Sequence, residues 1–455
     1  MKYVLLAFVV SLSACNNHMN YLPEKQITND LSYNHDLDNN DNFSPDNQWL
    51  VYDTRTEDGG IAASGKIERV HVKTGVKKVL YQIPDNHNWG PGAGAVSYSP
   101  VANEIVFIHG LPSVTEANPY QQWRRTGVIV DELAVNTPVF MDARNISPPY
   151  IKGALRGGTH RHEWSGDGQW IGYTYNDAIM KALEDSTGEK HNLRTIGVSK
   201  KVKPVKVAQD NNGENISGGW FSALVVKVVP TPANGSDEIS HAAGDSWVGR
   251  KGYLKPDGTW QMARAFIGNV RDKNGKSVDE VFVVDIPNDI DIEGEYGPLE
   301  GTDTMLPMPP KGAIQRRLTH TADSKQPGCV GIVRSSPKGD KLAFLAKDDK
   351  GILQIFTIAP DGTQLTQITA HTTDVEGSVR WHPSGKSLYY VCDGSITHCR
   401  TGNESFDNRY ELITEASVPS PTNLVISHDG RMLAFNRLVG EGTKKTKQIF
   451  TLPLH

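Results

Sequence analysis

The chain's 455 residues carry 47 Lys and Arg against 52 Asp and Glu, a formal net charge of −5. No Lys/Arg stripe interleaved with aromatics appears, which argues against a nucleic-acid partner. With 38% hydrophobic residues, 43 glycines and 26 prolines, the composition suits many short strands joined by tight turns and leaves little room for long amphipathic helices.

In chain order, Met1-Lys2 is a short basic start and residues 3–10 are an apolar run too short to span a bilayer as a mature helix. Leu12-Ser13-Ala14-Cys15 then resembles a bacterial lipobox. Residues 1–14 therefore read as a lipoprotein signal peptide, Cys15 as the lipidated residue and 15–24 as a tether, within a polar, Asn/Asp-rich stretch running from 16 to 42. An ordinary secretory signal is the alternative. Asn16 after the cysteine favours the outer membrane by the usual sorting rule, and no other segment is apolar enough to cross. The expectation is a monomer in the cell envelope, held to the membrane only by its lipid.

From residue 25 onward one phrase recurs: a strand, a tight polar turn, a second apolar strand. Its copies occupy 43–53, 98–108, 164–174, 335–345, 381–391 and 426–436, the first turn being Ser44-Pro45-Asp46-Asn47. Third strands follow, clearest at 353–359 and 448–452, and edge strands end in Leu/Ile-Thr: Leu318-Thr319, Ile368-Thr369 and Ile413-Thr414. Four strands per unit at this spacing predict an all-β fold, a single β-propeller spanning 25–455. Seven blades is the expected count, with six or eight as alternatives, because no phrase is visible between Thr174 and Ser335 although 220–229 and 279–285 read as strands. Residues 230–258 and 288–311 read as long surface loops, and 177–189 as one short helix. Lys25-Gln26-Ile27-Thr28 repeats the edge-strand ending with no blade before it, so it is expected to complete the last blade and close the ring.

Three cysteines follow Cys15. Cys392 and Cys399 flank an Asp393-Gly394 turn and are candidates for a disulfide across that hairpin; Cys329 reads as a buried small hydrophobe. Aligning the phrases on the turn brings out two histidines. Five residues before it stand Asn39, Gly94, His160, Gly331, Gly377 and Thr422; three before it stand Asp41, Val96, His162, Val333, Val379 and Leu424. Inner strands crowd the axis, so His160 is expected to project into the channel, with His162 on the same face at i+2. Such a pair suits a divalent metal (Mn or Ca), with His87, His109, Asp41 or Glu163 as further ligands by type, or it holds a carboxylate. A satisfied interior histidine is the plain alternative. Arg124, Arg125 and Arg156 lie nearby in sequence, Arg156 before Gly157-Gly158, and guanidinium forks grip carboxylates bidentately. His109 ends an apolar strand, a common binding position on a propeller face.

The Ser-Pro-Asp-Gly turns and Leu-Thr endings resemble the TolB-like propellers. More narrowly, residues 123–130 (Trp-Arg-Arg-Thr-Gly-Val-Ile-Val), 155–162 (Leu-Arg-Gly-Gly-Thr-His-Arg-His), 230–232 (Pro-Thr-Pro) and 315–319 (Gln-Arg-Arg-Leu-Thr) resemble the YidR-like, or DUF3748, proteins, and the likeness covers essentially everything after residue 24. It implies a propeller without a settled activity, with oligogalacturonate lyase as a distant fold relative. Two functions are therefore weighed. The first is a lyase on uronate-containing oligosaccharides, using His160, His162 and Arg156 in catalysis and His109, Arg124 and Arg125 in substrate binding. The second is a non-catalytic TolB-like propeller that binds an envelope protein or glycan.

Overall fold

The computed structural model describes residues 21–454 apart from 57–59, 403–405, 407, 408 and 443. The signal-peptide and Cys15 assignments lie outside these. Seven antiparallel sheets follow one another round a central axis. Blade one consists of Trp49–Asp53, Lys66–His71 and Lys77–Gln82, with residues 36–43 as an irregular inner strand bridged through Asp36–Asp53 and Phe43–Leu50. The inner strands of blades two to seven are Ala93–Tyr98, Gly157–Trp164, Ala242–Trp247, Cys329–Ser335, Val375–Trp381 and Thr422–Ile426, each followed outward by three more strands. The core lies between blades: Val51, Ile67 and Leu80 of blade one, for example, pack with Val96, Phe107 and Val128 of blade two.

Two side-chain locks explain why the phrase repeats. In the turn, a serine hydroxyl donates to an aspartate and accepts the amide of the returning strand: Ser44 to Asp46 (2.6 Å) and from Trp49 (3.0 Å), Ser165 to Asp167 (2.5 Å) and from Trp170 (3.0 Å), Ser427 to Asp429 (2.6 Å) and from Met432 (3.0 Å). At the rim, the threonine of each Leu/Ile-Thr ending accepts a third-strand amide: Thr319 from Val281, Thr369 from Ile355 and Thr414 from Ile396, each at 2.9 Å. Thr28 does the same to Ile449 at 2.8 Å, and Lys25 and Gln26 pair with Thr451 and Phe450. The first strand thus closes the ring as expected.

Three expectations need correcting. Residues 230–258 are not simply a loop, because they contain blade four's inner strand, Ala242–Trp247. The phrase is hidden there because residues 248–262, including a small hairpin of Tyr253–Leu254 and Trp260–Gln261, replace the tight turn. The end of the polar stretch before residue 43 is packed into the fold: Asn34, His35, Asp36, Leu37, Asn39 and Asn42 are buried, and Leu22 already bonds to Ile413 (2.9 Å). Cys392 and Cys399 form no disulfide with each other. Register explains it: Cys392 opposes Ser395 across the turn while Cys399 opposes Leu388, about 13 Å further along the strand at ~3.3 Å per residue. Cys329 is buried and free, as expected.

Candidate functional site

The inner strands are not regular. In blades two to seven the pairing register shifts within the strand, and a residue at or beside the shift has a left-handed backbone: Ala95, Arg161, Gly244, Gly331, Gly377 and Asn423. At Arg161 (φ 55°) the bulge falls between the two histidines and breaks the i, i+2 alternation. His160 and His162 therefore do not share a face.

His160 is half-buried, and its Nδ1 has no hydrogen-bond partner among the described residues. Burial, together with the nearby charges of Arg125, Arg194 and Arg161, holds it well below the ordinary histidine range, so it is neutral at neutral pH. His162 instead turns into the seam between blades two and three. It is fully buried, its Nε2 meets Thr159 Oγ1 (2.9 Å), and it lies so close to Gly127 that a Cβ there would stand 2.7 Å from that nitrogen. Burial lowers it to about 3, so it too is neutral, but as a spacer. The metal pair expected at His160 and His162 is thereby undone. Among the described residues no three His, Cys, Asp or Glu converge, and the cationic surroundings of His160 are unsuited to a divalent ion. The donor set does not fit Mn or Ca.

Three other expected site residues are tied into the scaffold. Arg156 is fully buried. Its Nε and Nη2 donate to Asp177 Oδ2 (3.2 and 3.0 Å), Nη2 also to the carbonyl of Met305 (3.0 Å), and Nη1 to that of Thr302. Asp177 caps the helix Ala178–Thr187 through the amide of Met180 (2.9 Å), so one ion pair fixes both that helix and the 286–313 loop. Arg124 is held by Glu214 (Nε, 3.1 Å) and the carbonyls of Asn118 and Pro119, and Glu214 also takes Arg144 (3.1 Å). His109 bonds Tyr81 OH through Nε2 (2.8 Å) and the Gly110 carbonyl through Nδ1, between blades one and two and away from the axis.

Arg125 differs from its neighbour. Its Nη1 donates to Tyr120 OH (3.0 Å), its buried Nε has no partner among the described residues, and its Cγ lies 2.9 Å from where a Cβ on Gly158 would be. Arg194, which the sequence reading missed, precedes blade three's third strand, and among the described residues its side chain bonds only amide oxygens, Asn176 Oδ1 and Gln122 Oε1, both at 3.2 Å. One end of the channel thus gathers a neutral imidazole and two guanidiniums that no described carboxylate touches.

The opposite end, at the Ser-Pro turns, holds a second charged group. Glu163 accepts from Arg264 Nη2 (3.2 Å), Arg334 Nη1 (3.2 Å) and Asn40 Nδ2 (2.9 Å), and Arg264 is clamped by Asp245 (Nε, 2.8 Å). Burial pushes Glu163 upward against the pull of Arg264 and Arg334. A sequence signal existed: two residues before the turn, the series Asn42, Ser97, Glu163, Arg334, Arg380, Val425 carries three charges at positions facing this end.

The fold and this axial lining define a ring-closed seven-bladed β-propeller with a polar channel. A family model, "Protein of unknown function (DUF3748)", matches residues 92–215. The chain is 38% identical to the uncharacterized protein YidR of Escherichia coli (strain K12) over 422 residues, 90% of this chain and 94% of that one, and it belongs to that family. Among solved structures it is similar to an oligogalacturonate lyase in complex with manganese (TM-score 0.53, 10% identity, 96% of this chain and 94% of that chain). It is also similar to oligogalacturonate lyase from Vibrio parahaemolyticus (TM-score 0.54, 9% identity, 95% and 93%). At such identities these structures show the fold alone.

Proposed function

We propose that this protein is an envelope-anchored propeller that takes the carboxylate of a uronate-containing oligosaccharide at the His160 end of its channel and cleaves the chain by β-elimination. One observation carries the reading: an uncharged imidazole stands among arginines, and Arg125 and Arg194 have phenol and amide oxygens, not carboxylates, as side-chain hydrogen-bond partners among the described residues, while Asp245, whose charge acts on Arg194, is itself bound to Arg264. A uronate carboxylate seats on Arg125 and Arg194. His160 takes the proton from the carbon next to that carboxylate, and the electron pair moves into the carboxylate as an enolate that the guanidiniums stabilise. Collapse of the enolate breaks the glycosidic C–O bond at the next ring carbon. The products are an unsaturated uronate and a sugar whose oxygen takes a proton from the imidazolium. Arg156, His162, Arg124 and His109 have no direct part in this. The likeness to oligogalacturonate lyases supports the substrate class by analogy of fold.

The test is to incubate the protein with oligomers of galacturonate, glucuronate and mannuronate, with and without added divalent cations, and to follow the ultraviolet absorbance of the new double bond. Product is expected, with a loss of at least about 100-fold in His160→Ala. No product from the whole panel overturns catalysis. Saturable binding of the same oligomers, abolished in Arg125→Gln, would then establish the non-catalytic receptor. The anchoring rests on the lipobox-like start at 12–15. Labelled fatty acid should enter the protein and be lost in Cys15→Ser.

A further inference from the structure

The Ser-Pro end of the channel opens into a cavity of about 330 Å³. Arg334 and Arg380 line its floor beside Glu163, and Trp164, Trp247 and Trp381 line its wall. Two of the tryptophans are fixed by neighbouring blades: Trp247 Nε1 donates to the carbonyl of Glu163 and Trp381 Nε1 to that of Arg334, both at 2.9 Å, while Trp164 Nε1 is buried without a partner among the described residues. The walls are therefore part of the blade framework, and the site is pre-shaped.

The charges on the floor do not balance. Asp245 is committed to Arg264, and Glu163 is divided between Arg264 and Arg334. Arg380 is 6% exposed, yet among the described residues its side chain makes one bond, a long one (3.3 Å) from Nη1 to the Val379 carbonyl, and its Nε has no partner there. The Nε of Arg334 is likewise without a partner there. Arg161 adds its charge to the same group, against which stands Asp41. A buried guanidinium left in this state is costly unless an anion joins it.

We infer that this cavity binds a small organic carboxylate, gripped by the guanidinium forks of Arg380 and Arg334 from adjacent blades. Planar forks match a carboxylate's two oxygens. Glu163 and Asp41 limit the surplus to about one positive charge, so a singly charged head fits and a phosphate dianion meets repulsion. The apolar indoles would cover the ligand's carbon body. This site does not rest on the lyase reading, since it shares neither Arg125 nor Arg194 with it.

The experiment is calorimetric titration of the full chain with acetate, benzoate and inorganic phosphate at fixed ionic strength, repeated on Arg380→Gln, Arg380→Lys and Arg125→Gln. Saturable binding of a monocarboxylate is expected, with phosphate at least about tenfold weaker. It should survive Arg125→Gln, fall about tenfold in Arg380→Lys, which keeps the charge but not the fork, and vanish in Arg380→Gln. Without ligand, Arg380→Gln should unfold at or above the wild-type temperature, because an uncompensated buried charge is gone. Three results overturn the inference: no saturable carboxylate binding, phosphate binding more tightly than any carboxylate, or binding lost in Arg125→Gln but kept in both Arg380 variants.

Discussion

Arg124 and Arg125 are adjacent in the chain, at the start of one strand, yet they have opposite company. Arg124 turns to Glu214 and two backbone carbonyls and is fully accounted for by the scaffold. Arg125 turns towards the axis and finds a phenol. The same contrast separates Arg156, closed around Asp177 and the 302–305 backbone, from Arg380, whose side chain hydrogen-bonds among the described residues only to the carbonyl of Val379. Burial alone therefore does not mark an arginine as functional. What distinguishes the two kinds is whether the protein supplies the counter-anion itself.

If that distinction is right, removing a self-satisfied arginine costs stability and removing an open one costs ligand. The largest effect is expected for Arg156→Ala, a loss of about 3–5 kcal/mol in urea unfolding, because Asp177 is left buried and unpaired; a loss below about 1 kcal/mol would break the contrast. Glu163→Gln comes next, at about 1–3 kcal/mol by the same measurement, since Arg264 keeps Asp245 while Arg334 loses the carboxylate bonded to it. The third test is pH. His162 has a folded pKa of about 3 against 6.5 unfolded, so in that window the unfolded chain binds the extra proton. Stability should fall as pH drops below 6.5 and continue to fall towards 3, with a gentler slope in His162→Gln. An identical slope would mean that His162 is not sealed in its seam. Because His160 is also depressed, the acid limb of any lyase activity should lie below pH 6.5. The smallest effect is a reductant, which should leave the unfolding midpoint unmoved, since the register keeps Cys392 and Cys399 from joining each other; a drop would restore the hairpin disulfide.

Much of the architecture could be read from local chemistry. Ser44-Pro45-Asp46 and its counterparts recur because hydroxyl, carboxylate and amide lie within a few residues of one another, and the Leu/Ile-Thr endings recur because each threonine meets a third-strand amide. His160 stood out because glycine occupies that position in three other blades. The rest depended on distance or on backbone shape. Nothing about Arg161 as a residue type announces a left-handed backbone, so the divergence of His160 and His162 was hidden. The partners of Arg156 at Thr302 and Met305 lie some 146 and 149 residues away, beyond any pattern of spacing. Arg194 belongs to no repeated phrase, and its neighbours Gln122 and Asn176 come from two other segments.

The pairing of Lys25 with Thr451 sets an order of events. During synthesis the segment around residue 25 emerges early and must wait, unbonded, until the strand Lys444–Pro453 has been made. A copy cut short before that strand keeps a loose leading end and an open sheet margin, the feature that invites aggregation. Proteolytic surveillance could therefore recognise unfinished molecules by that margin alone, whatever the state of the six complete sheets behind it.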